Sequence, residues 1–350
     1  MKILRLLCSS IFITGRFTNR ACDLCGCYRA PHIKRSFCRL ILLPISRAAP
    51  TAVTVSLIMM LVAPETISAH GFAGSRFFPA TLSTDDPFVA DEFSLPTVSS
   101  IVTPDNGGTR DTEVSSDIAL RITPRWDIEF GETFITLNPS QGKSVNGFSN
   151  LSIGSKYEFF ENDEHEAVVS LGLAVDVGGT GSKEVGADTF STWTPGLFFG
   201  KGLGDLPQGL SLVRPFAVTG LVGVAMPSSA STDGSPNPAV LQLGFAVEYS
   251  LIYLQEQVRD IGLRTPFDRL IPLVEVSLSD PLDRGQSGLI TGTVNPGIIW
   301  SGKYFQVGAE AVIPINSRTG NDVGFIAQLH FYLDDLFPHS LGRPLFGGNK

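Results

Sequence analysis

The constraint that removes most alternatives for this chain is a strict period of two, repeated in one segment after another. Between Glu166 and Val177 the positions Ala167, Val169, Leu171, Leu173, Val175 and Val177 are all apolar, whereas the intervening set holds Glu166, Ser170, Gly172 and Asp176. Leu241, Leu243, Phe245, Val247, Tyr249, Leu251 and Tyr253 alternate in the same way with Gln242, Gly244, Glu248 and Ser250. So do Phe305, Val307, Ala309, Ala311 and Ile313 with Gln306, Gly308 and Glu310, and Val323, Phe325, Ala327, Leu329, Phe331 and Leu333 with Gly324, Gln328, His330 and Tyr332. Successive side chains of a strand point to opposite faces, so each set is one face of an extended segment; a helix would scatter both sets around its axis.

Twelve strands follow from this pattern, over residues 94–103, 112–122, 125–137, 148–160, 166–177, 189–201, 210–226, 239–253, 267–279, 287–300, 303–315 and 323–333. They exceed the roughly five or six residues usual in soluble sheets, which disfavours a β-sandwich. Their connections alternate in length. If the first strand runs outward, the longer outer loops begin at Pro104, Asn138, Gly178, Pro227, Asp280 and Asn316, and the shorter inner turns at Thr123, Glu161, Gly202 and Ser301, with only 254–266 out of pattern. An even strand number with both ends on the inner side is the plan of an outer-membrane barrel. Trp126, Phe134, Phe159, Trp193, Phe199, Tyr253, Trp300 and Phe331 fall near strand ends, where rings suit the membrane interface. The predicted fold class is therefore all-β, a transmembrane antiparallel up-and-down β-barrel of about 12 strands over residues 93–337. Residues 70–92, without sustained period and interrupted by Pro79 and Pro87, read as an N-terminal arm or plug, and 338–350 as a C-terminal tail.

Composition agrees. Charged residues make up 17% of the 350, below the roughly 25% of soluble proteins. Yet outside the leader no apolar run approaches the roughly 18 residues of a spanning helix. The leader itself, residues 1–69, contains an apolar core at Thr51–Val62 followed by Ile67-Ser68-Ala69, the form of a secretory signal cleaved after Ala69. The stretch before it is longer than a signal needs and reads as an over-extended start. All five cysteines (Cys8, Cys22, Cys25, Cys27, Cys38) lie there, so the Cys-x-x-Cys at Cys22 has no role in the mature protein. From His70 onward the chain has 17 Lys/Arg against 32 Asp/Glu, a formal charge of -15, which argues against nucleic acid as a partner.

The faces opposite the apolar sets carry Asp127, Glu129, Lys156, Glu158, Asp176, Gln242, Glu248, Glu275, Gln306, Glu310, Gln328 and His330. With the apolar faces on lipid, these twelve are candidate lumen-lining residues. They form a mostly acidic interior with Lys156 and Arg214 as counter-charges, which either favours cations and neutral solutes or fills a closed barrel. No cofactor is expected: the Gly-Lys-Ser at Gly142 and Gly-Ser-Lys at Gly181 lack the earlier glycine of a phosphate loop. His165, in an acidic turn, and His70, at the expected mature N-terminus, do not assemble a metal site. Only His330 sits on a polar strand face, with Ser170 or Ser250 as conceivable nucleophiles that nothing in the sequence selects, so the chain is read as no enzyme and a membrane-embedded lipid hydrolase as a minor alternative.

The strands LSIGSKYEFF from Leu151 and YFQVGAEAVIPIN from Tyr304, the closing VGFIAQLHFYLDDLFP and the opening HGFAGSRFFPATLSTDDPFVADEFSLPT resemble Gram-negative outer-membrane proteins of the phenol-degradation meta-pathway transporter type. The resemblance covers roughly 93–337 and implies transport across the bacterial outer membrane; the polar inward set motivates reading it as passive passage of small solutes, hydrophobic or aromatic ones among them. It also implies lipid, lipopolysaccharide and the outer-membrane assembly machinery as partners. A closed structural or adhesive barrel, with the loop from Pro227 to Pro238 as its contact site, is the second reading. One departure is that the chain continues past Phe331, leaving Phe337 or Phe346 to serve as the terminal aromatic that assembly requires.

Overall fold

The computed structural model describes residues 71–347. The signal, its cysteines, His70 and the last three residues lie outside the described residues. The strands are β1 (Phe72–Ala73), β2 (Arg76–Phe77), β3 (Glu92–Thr103), β4 (Thr109–Thr123), β5 (Trp126–Pro139), β6 (Val145–Phe148), β7 (Ser152–Asn162), β8 (Ala167–Asp176) and β9 (Thr192–Gly202), followed by β10 (Phe216–Pro227), β11 (Ser231–Thr232), β12 (Ser235–Pro236), β13 (Val240–Tyr249), β14 (Leu270–Pro281), β15 (Thr291–Ser301), β16 (Phe305–Pro314) and β17 (Gly324–Tyr332). β1 pairs with β2, and β11 with β12, as two-residue ribbons. All the others form one antiparallel sheet in which each strand pairs with its sequence neighbours and β17 returns to β3. The result is a closed barrel of twelve staves, the fourth being β6 and β7 in line, both bonded to β5. Apart from β6, which is bonded to β5 alone, closure leaves no sheet edge, which is the condition for spanning a bilayer with strands.

The two faces sort as the alternation predicts. Phe130, Leu171, Leu197, Val247, Ile298 and Phe325 point outward and are 40–53% exposed. Glu248, Glu275, Gln306, Glu310 and His330, one position away in register, are at most 4% exposed. An apolar exterior around a charged interior inverts the arrangement of a soluble barrel and fits surrounding lipid. A bulge between Glu158 and Phe160 turns both Phe159 and Phe160 outward while the ladder to β8 resumes at Val169.

Several expected strand limits shift, four of them for an identifiable local reason. β10 begins at Phe216, not 210, because 203–215 coils into turns in which the N–H groups of Leu210, Ser211, Val213 and Arg214 bond carbonyls three residues back. β13 stops at Tyr249 because the Ser250 hydroxyl accepts the Tyr253 N–H at 3.1 Å and starts a helical turn, Leu251–Tyr253. Leu251 and Tyr253 therefore leave the strand face, and Tyr253, 7% exposed, is buried rather than interfacial. Similarly, Phe267–Arg269 is a short 3-10 turn ahead of β14, and Leu333 begins the terminal helical turn Leu333–Leu336. At the end of the barrel that carries its termini there are thus two long connections, 203–215 and 250–269, where one was expected.

Candidate functional site

The N-terminal arm, 71–91, lies inside the barrel. Phe77 and Leu82 pack with Ile271, Ile299 and Ile326 of the wall, and Phe78 and Phe88 with Val168 and Ala217. Two inward glycines make room for it: a Cβ on Gly308 would stand 2.6 Å from Leu82 Cδ1, and one on Gly244 2.8 Å from Thr84 Cγ2.

Three clusters of polar contacts hold the arm, in addition to single ones. Glu275 Oε1 accepts the Leu82 N–H at 2.7 Å, and Oε2 accepts those of Ser83 and Thr84 at 3.0 and 2.7 Å together with the Thr84 hydroxyl at 2.9 Å. Charge-assisted bonds of this kind are worth about 1.5–3 kcal/mol each. Arg76, fully buried, pairs with Glu166 at 3.2 Å, donates to the Pro215 carbonyl at 2.9 Å and to that of Arg214, and stacks 3.7 Å over the Tyr253 ring. Asp91, just before β3, accepts from the Arg121 N–H at 2.6 Å and from its Nε at 2.7 Å. Burial nevertheless pushes the Asp91 carboxyl above its usual range, against the pull of Arg121.

Of the twelve candidate residues, the structure buries Asp127, Lys156, Glu158, Glu248, Glu275, Gln306, Glu310, Gln328 and His330. Several meet the arm instead of an open lumen: Glu275 as above, Gln306 through the Ala80 carbonyl, and Lys156 through Asp85 at 3.0 Å. Lys156 also pairs with Glu129 at 3.3 Å, and its N–H donates to Asp127 at 2.8 Å. Glu248 has no hydrogen-bond partner among the described residues, whereas Glu310 stands beside Glu275 and Asn295. Glu129 and Gln242 are half-buried and line cavities, whereas Asp176 is exposed near the end of β8. Arg214, read as a lumen counter-charge, sits in the 203–215 turns and donates to the Leu206 carbonyl at 2.7 Å.

Beside the arm the barrel is not filled. One cavity of about 360 Å³ lies between arm residues 80–86 and the inner face of β3, β4, β5, β7 and β17, lined by Asp85, Asp86, Glu92, Asp117, Glu129 and Gln328 among others. A second, of about 170 Å³, runs along β7 to β10, with Lys156, Gly172, Gly196 and Phe198 in its lining. Asp85, Glu129, Gly154 and Ala174 border both, so the two spaces are neighbours along one wall, with the Lys156 contacts to Asp85 and Glu129 between arm and wall where they meet. In the larger, burial, followed by the charge of Glu92, pushes the Asp86 carboxyl well above its usual range.

His330 has a partner that sequence reasoning missed. Its Nδ1 lies 2.8 Å from Ser94 Oγ and its Nε2 3.2 Å from Glu92. Ser170, one conceivable nucleophile, instead donates to the Pro87 carbonyl, and Ser250 caps a turn. The Ser94–His330–Glu92 chain joins β3 to β17, where the barrel closes. His165 Nδ1 faces Asp205 at 3.2 Å on the surface, and the bonds from Lys201 and His165 hold the Asp205 carboxyl below its usual range. Among the described residues, no three His, Cys, Asp or Glu side chains gather as metal ligands.

No family model and no curated protein matches the chain. Among solved structures it is similar to a COG4313 outer membrane channel from Pseudomonas putida F1, with 11% identity, 73% of this chain and 98% of that one covered, and a TM-score of 0.49. It is also similar to the beta domain of the Bordetella autotransporter BrkA (13% identity, 70% and 99% covered, TM-score 0.39) and to LpxR from Salmonella typhimurium (10%, 69% and 99%, TM-score 0.40).

Proposed function

We propose that the protein is an outer-membrane channel for small polar solutes, constricted by its own N-terminal arm, with the remaining route along the wall formed by β4 to β10. The observation that carries this reading is the unfilled space beside the arm, two neighbouring cavities that adjoin at Asp85, Glu129, Gly154 and Ala174. Support comes from the barrel's apolar exterior and from the carboxylates lining these cavities, which favour hydrated solutes over the hydrophobic or aromatic ones expected from the sequence. The secretory leader over residues 1–69 is consistent with export to that membrane. The arm is held by side-chain contacts to Glu275 and Glu166 and is not one of the staves of the wall, so it constricts the barrel without forming it.

Single-channel recording in planar bilayers tests this. The mature chain should give small resolved steps, and the chain lacking residues 71–91 larger ones. Absence of steps from both, in barrels shown by gel mobility to be folded, would leave the closed structural reading.

A further inference from the structure

The two long connections at the end of the barrel that carries its termini, 203–215 and 250–269, have an inner and an outer side. The inner side holds the arm: the Pro215 and Arg214 carbonyls accept from Arg76, and the Tyr253 ring stacks on its guanidinium. The outer side presents large apolar side chains, Leu210 and Leu212 on the first connection and Ile261 and Phe267 on the second. Leu212 and Phe267 are each 62% exposed, more than any of the outward stave residues named above. Side chains of this size on a turn that could have carried polar ones mark a contact surface.

What covers that surface follows from where it is attached. The Tyr249 hydroxyl donates to the Leu212 carbonyl at 3.3 Å, and Trp300 Nε1 to the Pro266 carbonyl at 3.1 Å. Tyr249 and Trp300 share the outward faces of Val247 and Ile298, so both connections are tied to the outside of the wall. Rings continue along the same rim: centroids of Trp300 and Phe305 are 5.5 Å apart, Phe305 and Phe331 6.4 Å, Phe331 and Phe93 6.5 Å, and Tyr249 and Phe216 4.7 Å. The exposed residues thus extend a belt of rings at the border of the lipid-facing surface, the level at which amphipathic rings meet headgroups. The second connection is held in shape, because Gln255 bonds both the carbonyl and the N–H of Leu263, at 3.0 and 2.9 Å, and Asp260 accepts the Gly262 N–H at 2.7 Å. Between Ile261 and Phe267 it exposes Arg264. A cation set among apolar residues suits a boundary with acyl chains on one side and phosphates on the other.

We infer that the two connections form a collar docked in the headgroup layer of the bilayer, with Leu212 and Phe267 below the lipid phosphates and Arg264 against them. The inference is independent of the channel reading and rests only on the barrel's spanning a membrane.

Spin labelling of the mature chain in vesicles of phosphatidylethanolamine and phosphatidylglycerol tests it, with folding checked by gel mobility. The absence of cysteine after Cys38 allows single labels at Leu212→Cys and Phe267→Cys. Leu289→Cys, exposed in the connection between β14 and β15 at the opposite end, serves as the aqueous reference. The labels of Leu212→Cys and Phe267→Cys should collide with oxygen, relative to a water-soluble nickel chelate, several-fold more than that of Leu289→Cys. Adding Arg264→Glu should lower the ratio in Phe267→Cys by lifting the connection toward water. Equal ratios in all three variants would put the collar in water. Protection from both reagents would put protein over it, a second copy of this chain included. A ratio unmoved by Arg264→Glu would separate the connection from the phosphates. Each of these three results overturns the assignment.

Discussion

At the scale of single residues, the interior is organised by a few charges whose partners are distant in sequence. Arg76 is the plainest case. Its guanidinium is enclosed by Glu166, two carbonyls and the Tyr253 ring, so truncation leaves Glu166 buried without its cation, at a cost of about 3–5 kcal/mol. That cost falls on the seating of the arm, because the barrel ladders do not run through Arg76. Arg76→Ala should make the amides of 71–91 exchange hydrogen much faster while those of β13 to β16 stay protected. Asp86 gives a pH prediction. Burial keeps a proton on its carboxyl to higher pH than an ordinary aspartate holds one, so the seated arm binds a proton that the released arm gives up. By linkage, the seating should weaken as pH rises above the usual aspartate range, read as faster hydrogen exchange of 71–91, and the dependence should flatten in Asp86→Asn. The polar faces named Glu275, Gln306 and His330 as inward from alternation alone. Their partners Leu82, Ala80 and Ser94 were not legible, since contacts between residues more than 190 positions apart leave no local pattern.

Elements were more legible than their ends. Alternation fixes a strand's two faces wherever one side is apolar, and all twelve staves appear where the period-two segments lie. Strand ends depend instead on competing turn bonds, such as the Ser250 hydroxyl on the Tyr253 N–H, which an alternating run that continues through Leu251 and Tyr253 conceals. The arm is the opposite case. Residues 71–91 carry no period, because their order comes from the barrel around them. Inward glycines were its one available trace: Gly244 and Gly308 interrupt polar faces at the points where Thr84 and Leu82 approach the wall. Gly154 borders both cavities and adds no side chain to the space. A Cβ at that position would meet Glu129 Oε2 at 2.9 Å and Glu129 Cβ at 3.2 Å, so Glu129 must shift to admit it. In Gly154→Ala, with folding checked by gel mobility, conductance should fall both with the arm present and with it deleted. If conductance is unchanged in both, solute takes another path.

For the whole molecule, the decisive question is whether passage runs along the barrel axis or sideways through its wall. The seam where β17 meets β3 is the place to ask, since it joins the two ends of the barrel and its register shifts between Gln328 and His330. The ladder resumes on the other side of that shift, from Thr97 to Ser100, and the Ser94–His330–Glu92 chain bridges the strands from within. Both cavities lie between the arm and the wall, inside this closure. An axial route therefore requires no opening of the seam. Val98 and Ala327 are direct partners across it, and paired residues of antiparallel strands have Cα atoms about 4.5–5.5 Å apart, within reach of a disulfide. The chain has no cysteine after Cys38, so Val98→Cys with Ala327→Cys would form a single defined bond in the mature protein. Oxidised and reduced forms should conduct equally, and deletion of 71–91 should enlarge the steps in both. Conductance that vanishes on oxidation and returns on reduction would place the exit in the wall and leave the carboxylate cavity off the route.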